Sequence, residues 1–120
     1  MILVDTSVWI DHLRAGDAEL GALLNSGQVL MHPFVLGELA CGNLRNRSEV
    51  LALLKNLPQA TLANDDEVLF FIERHALMGH GIGYVDAHLL AAVTLGDVAR
   101  IWTRDKRLRT VADALALAHE

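Results

Sequence analysis

Short uncharged runs separated by leucine-bearing stretches at helical spacing constrain this chain more than any other feature. Met1-Ile2-Leu3-Val4 is apolar at every position, and Val29-Leu30-Met31 and Ile101-Trp102-Thr103 are similar. A run without alternation suits a strand buried on both faces, as in a parallel sheet covered by helices. Ala60-Thr61-Leu62 is a weaker fourth candidate. Asp17 is placed to cap a helix carrying Leu20, Leu23 and Leu24, and Ser48 one carrying Leu51, Leu54 and Leu57. Asp65 or Asp66 starts a helix that turns Leu69, Ile72 and Ala76 inward, and the glycines of 79–83 end it in a loop. Another helix opens near Asp86. The last carries Leu108, Val111, Ala112 and Leu115, directly after the Ile101 run. This alternation predicts an α/β domain, a short parallel central sheet in a three-layer α/β/α arrangement.

The 120 residues contain no Pro- or Gly/Ser-rich linker and no internal repeat, so residues 1–120 read as one domain. At 52% hydrophobic against 21% charged, the chain can bury a core. No apolar run nears the roughly 18 residues of a membrane helix, and the first run meets Asp5 at once, so membrane insertion and secretion are not expected. Cys41 is the only cysteine, which excludes an internal disulfide and a cysteine-based metal site and suits a reducing, cytoplasmic setting. Its simplest role is that of a small buried residue.

The net charge of −5 argues against nucleic-acid binding through overall positive charge. Yet Arg100, Arg104, Lys106, Arg107 and Arg109 are half of the 10 basic residues and crowd one short window around Asp105. That window is either a solvated helix face or a contact surface.

In parallel sheets, ligands bind beyond the carboxyl ends of the strands. Asp5 follows the first strand and Asp105 stands two residues beyond the last, so both acids should share one rim. Asp5, Asp86 and Asp105 all precede helical stretches and can equally be caps. Glu38 interrupts the otherwise uncharged segment 33–41, and it either faces solvent, meets Arg45 or belongs to a site. Asp86 aligns at helical spacing with Leu89, Leu90 and Val93, so it should point inward. Should all four converge, repulsion and burial would raise their pKa values unless a cation is present. An all-oxygen donor set suits a hard ion, Mg²⁺ or Mn²⁺, which can generate a nucleophile from water and stabilise a leaving oxygen. That chemistry is suited to phosphodiester hydrolysis. The basic window around Asp105, with Arg104, Lys106 and Arg107, would then hold the flanking phosphates of a strand.

Four segments carry a family resemblance: Val4-Asp5-Thr6-Ser7-Val8-Trp9-Ile10, the isolated Glu38, Tyr84-Val85-Asp86-Ala87-His88-Leu89-Leu90-Ala91, and Trp102-Thr103-Arg104-Asp105-Lys106-Arg107-Leu108. In order and spacing, over nearly the whole chain, they resemble PIN-domain proteins, most closely the VapC toxins of type II toxin–antitoxin pairs. The resemblance implies a compact α/β/α fold and a Mg²⁺-dependent endoribonuclease in which Mn²⁺ may substitute. It makes Asp5 and Asp86 metal ligands, with Glu38 and Asp105 completing the acidic pocket directly or through water. Thr6, Ser7 and Thr103 match hydroxyl positions lining that pocket. It further implies a homodimer held inactive by a VapB-type antitoxin, whose basic side chains would suit an acidic site. The alternatives are a PIN nuclease acting in RNA processing outside such a pair, or a catalytically inactive PIN binding module.

Other residues invite less. His12, His32, His75, His80, His88 and His119 show no tight ligand spacing and read as structural or surface groups, with His88 near the pocket rim or a subunit contact. Trp9 is expected to pack, and Phe70, Phe71 and Met78 to serve helix packing or a dimer surface. A receiver domain needs an acid after its central strand and 50–57 supplies none, and a haloacid-dehalogenase-type phosphatase would need an acid where Ser7 stands.

Overall fold

A computed structural model describes residues 1–120. The sheet has three parallel strands in the order β2-β1-β3, with β1 Ile2–Val4 at the centre, β2 Val29–Leu30 on one side and β3 Arg100–Trp102 on the other. Leu3 faces Leu30 and Ile101 across the two ladders. Ile2, Leu3 and Val4 are all buried, although successive side chains point to opposite faces, so both faces of the sheet are covered. This is the expected three-layer α/β/α arrangement. No helix is long and apolar enough to cross a membrane.

From β1 the chain runs through α1 Thr6–Ala15 and α2 Ala18–Asn25 to β2, then through α3 Pro33–Ala40, α4 Arg47–Lys55, α5 Asp65–Arg74 and α6 Tyr84–Leu95 to β3, and ends in α7 Lys106–Ala114. Asp17 caps α2 by accepting the Leu20 N–H at 2.9 Å, as expected. The segment around Glu38 is the helix α3, with Pro33 in its first turn, where a missing N–H costs nothing, and with the His32 side chain as its cap. Every residue from Ala87 to Val93 on α6 is buried, so this is the central helix, packed against α5 and β3. Trp9 is buried as expected.

Several local expectations are corrected. Residues 60–62 form no strand: Met31 makes one parallel bridge to Gln59, and Leu62 is exposed. The true addition to the sheet is a bridge from Ile101 to Ala118, which covers the edge of β3 with the chain terminus. Ser48 does not cap α4. The helix starts at Arg47 after Asn46 in a left-handed conformation, and the Arg47 guanidinium reaches back to the carbonyls of Ala40 and Gly42. Asn64, not Asp65 or Asp66, caps α5, in a reciprocal box with Glu67. Val68 and Phe71 consequently point inward, while Leu69 and Ala76 are exposed. Phe71 thus serves packing, whereas Phe70 and Met78 stay on the surface. Cys41 is exposed, not buried.

Candidate active site

The order β2-β1-β3 sends the chain to one side of β1 and then to the other, so the switch point lies at the carboxyl end of β1. Asp5 stands there. Its backbone N–H still pairs with the Trp102 carbonyl at 2.9 Å, its side chain is only 8% exposed, and its carboxylate does not cap α1. Two hydroxyls hold that carboxylate: Ser7 Oγ and Thr103 Oγ1 each donate to Asp5 Oδ2 at 2.8 Å. The same hydroxyls accept from the next loop, Ser7 Oγ from the Arg104 N–H and Thr103 Oγ1 from the Asp105 N–H, both at 3.0 Å. The two hydroxyls also lie 3.3 Å from each other, so Asp5, Ser7, Thr103 and the Arg104 and Asp105 amides form one network. Asp5 Oδ1 carries no protein hydrogen bond.

Asp86 is the third residue of α6 rather than its cap, and its Oδ2 accepts the Gly83 N–H at 3.0 Å. Burial raises its pKa above the ordinary carboxylate value. The Gly83 bond opposes that shift, and the charges of Asp5, Asp105 and Glu38 add to it. All four acids therefore share one electrostatic environment. Glu38, exposed on α3, accepts from Thr6 Oγ1 at 2.8 Å and makes no ion pair with Arg45. Asp105 does cap a helix, accepting the Leu108 N–H at 3.0 Å through Oδ1, which leaves Oδ2 for other partners.

No three acidic, histidine or cysteine side chains close tightly enough to wrap an ion by themselves. The charges of Asp5, Asp105 and Glu38 nevertheless all act on Asp86. An oxygen-only set with one abnormally protonatable member fits a hard divalent cation that keeps part of its water shell.

Much of the basic window is engaged within the protein. Arg100 donates to the Ala116 carbonyl, Arg109 pairs with Asp113, and both arms of Arg104 are held by Asp11 and Asp17. These two acids hold the Arg104 proton more firmly than usual. Asp17 in turn is held below its ordinary pKa by the Leu20 N–H and then by Arg104. Lys106 and Arg107 remain exposed without an ion pair in the first turn of α7, and Arg107 lies against Gly81.

Two features escaped the sequence reading. A cleft of about 660 Å³ opens beside Glu38, lined by Ile10, Leu13, Arg14, Asn43 and Arg45 among others, and no spacing signalled it. Asp65 Oδ1 also accepts from Tyr84 Oη at 2.8 Å and lies 3.2 Å from His88 Nε2, which fastens the first turns of α6 to α5. The Asp65 bond, chiefly, raises the Tyr84 pKa. His88 is buried among the rings of Tyr84, Phe34 and His32, as a packing residue.

Comparison with known proteins agrees with this geometry. Residues 2–114 match the PIN domain family. The chain is 52% identical over 122 aligned positions to Ribonuclease VapC32 of Mycobacterium tuberculosis, in strains CDC 1551 / Oshkosh and ATCC 25618 / H37Rv, covering 100% of this chain and 98% of each relative. By the match over residues 2–114 and the full-length identity, the chain belongs to the PIN-domain family, among its VapC ribonucleases.

Proposed function

We propose that this protein is the toxin of a type II toxin–antitoxin pair, an endoribonuclease that cleaves RNA phosphodiester bonds with Mg²⁺, for which Mn²⁺ can substitute. The observation that carries the reading is Asp86, drawn inward by its helix and pushed towards protonation by burial and three neighbouring acids. Such an arrangement is unfavourable alone and suits a bound divalent cation. Ribonucleases of the VapC type generally use a divalent metal.

Asp5 and Asp86 would hold the ion, Asp5 through the Oδ1 that Ser7 and Thr103 leave free, with Glu38 and Asp105 completing the site directly or through water. Bound there, Mg²⁺ supplies an activated water at neutral pH and charge compensation at the phosphate. Thr6 fixes one oxygen of Glu38 and leaves the other for a hydrogen bond from water. Lys106 and Arg107 would carry flanking phosphates, because they are the cations of the basic window without an internal partner.

Four carboxylates repel RNA and attract cations, so a VapB-type antitoxin would silence the site by presenting basic side chains to it. Exposed Leu69, Phe70 and Met78 offer apolar surface for a homodimer. The exposed thiol of Cys41 and the RNA substrate suit a cytoplasmic protein.

The test is cleavage of a mixed RNA pool by purified, antitoxin-free protein with EDTA, Mg²⁺ or Mn²⁺, beside Asp5→Asn. Cleavage that requires the metal and vanishes in the variant is expected. Equal cutting in EDTA, or full activity of Asp5→Asn, would overturn the assignment.

A further inference from the structure

Arg104 stands between two site residues, Thr103 and Asp105, yet its side chain leaves in the opposite direction, as the alternation of an extended segment requires. One arm of the guanidinium, Nη1, meets Asp11 on α1, and the other, Nη2, meets Asp17 at the head of α2. The planar group also lies over the Trp102 ring, 5.7 Å from its centroid. Asp17 is itself fixed, because its other oxygen accepts the Leu20 N–H. A single side chain thus ties the loop after β3 to two helices far away in sequence.

That loop sets the hydroxyl geometry. The N–H groups of Arg104 and Asp105 donate to Ser7 Oγ and Thr103 Oγ1 and so fix the positions of the two oxygens that donate to Asp5 Oδ2. A loop displaced by a fraction of an ångström would release one or both hydroxyls, and Asp5 would lose its fixed orientation. Charge argues the same way. Two carboxylates around one guanidinium leave the group net negative, a poor seat for a phosphate.

We infer that Arg104 is a positioning residue, a brace from Asp11 and Asp17 that orients Asp5 and Asp105 through the loop's backbone, and that it is not a ligand of RNA. The inference rests on the nuclease reading for its kinetic signature but not for its structural one.

Arg104→Ala, Arg104→Lys and the double variant Asp11→Asn/Asp17→Asn are compared with the wild type under steady-state conditions, with Arg109→Ala as the control. A brace predicts that Arg104→Ala lowers kcat at least tenfold with KM within twofold, that the Asp11/Asp17 variant falls in the same direction, and that combining them adds little. Arg104→Lys, keeping one arm's charge, recovers part of the loss. An RNA ligand predicts the reverse: KM rises, its salt dependence weakens, and freeing the arm by Asp11→Asn/Asp17→Asn tightens RNA binding. Those results would overturn the brace.

Two readouts need no catalysis: Mn²⁺ affinity by direct titration, and amide exchange at Arg104 and Asp105. Both are expected to shift in Arg104→Ala, with weaker metal binding and faster exchange. Unchanged values in a folded variant would sink the inference. Should the wild type fail to cleave RNA, the nuclease reading falls while these two measurements still decide the brace. If Arg104→Ala does not fold, the Asp11/Asp17 variant carries the same comparison.

Discussion

His32 is an acid-labile fastening for the helix that carries Glu38. It is 2% exposed, and its Nδ1 accepts the Phe34 N–H at 3.0 Å, which requires that nitrogen to be unprotonated. Burial, followed by the neighbouring His88, lowers its pKa from 6.5 to about 4. An imidazole held neutral in the folded state takes up a proton on unfolding. Its contribution is therefore complete above pH 6.5 and declines as the pH falls, until about pH 4. At about 1.4 kcal/mol per decade of proton affinity, the whole window is worth up to roughly 3 kcal/mol. For a domain of this size that corresponds to a melting temperature roughly 10 °C lower.

The assay is urea unfolding at fixed protein concentration from pH 7 to pH 4.5, comparing the wild type with His32→Asn. Asparagine can accept the same N–H without titrating. Whatever His32→Asn costs at pH 7, the gap between the two proteins should shrink by about 2 to 3 kcal/mol at pH 4.5. Asp86 works in the opposite sense, since a carboxyl with a raised pKa favours the folded state as the pH falls, but it is common to both proteins and cancels. Parallel curves, or a measured His32 pKa near 6.5, would refute the reasoning.

Asp86→Asn should abolish cleavage yet keep or raise the melting temperature in EDTA, because it removes the charge that burial and three acids oppose while an acceptor for the Gly83 N–H remains. Asp86→Ala loses that acceptor and should fall below Asp86→Asn by about 1 kcal/mol; equal losses in calorimetry would argue against repulsion among the four acids. Gly81→Ala introduces a Cβ 2.7 Å from Arg107 Cδ at a φ of +79°, so it should destabilise by roughly 1 kcal/mol and push Arg107 aside. Weaker RNA binding by Gly81→Ala, measured by anisotropy, is expected if Arg107 carries a phosphate, and unchanged binding would remove Arg107 from that role.

The legible part of this molecule is the part written in local patterns. Unbroken apolar runs mark β1 and β3, and their C-terminal ends predict Asp5 and Asp105 on one rim. Asp86 read as inward because Leu89, Leu90 and Val93 share its face, and all three are buried. Caps were harder, because several polar residues in a row compete for one position. Choosing Asp65 or Asp66 over Asn64 went with an inward stripe through Leu69 where Val68 turns in. The partners of Arg104 were beyond reach. Asp11 and Asp17 lie 93 and 87 positions away, and no periodicity links residues brought together by three parallel strands.

The four acids also differ in how firmly the fold holds them, and the topology explains the difference. Asp5 follows the central strand, whose Ile2 pairs with Val29 on one side and Arg100 on the other, so its backbone is anchored from both directions. Its carboxylate is then fixed by two hydroxyls whose own positions depend on the Arg104 loop. Asp86 has a single backbone bond and a pKa raised by burial and by the other three acids, so its ionisation would gain from a cation. Glu38 and Asp105 are exposed, each with one carboxylate oxygen held, by Thr6 and by the Leu108 N–H respectively, and one oxygen turned to water. A rigid anchor, a charge-sensitive partner and two hydrated flanks are what a cation that keeps most of its water requires. The same gradient would help an acidic protein act on RNA: a divalent cation would offset part of the charge of these four acids, and Lys106 and Arg107 stand unpaired directly after Asp105.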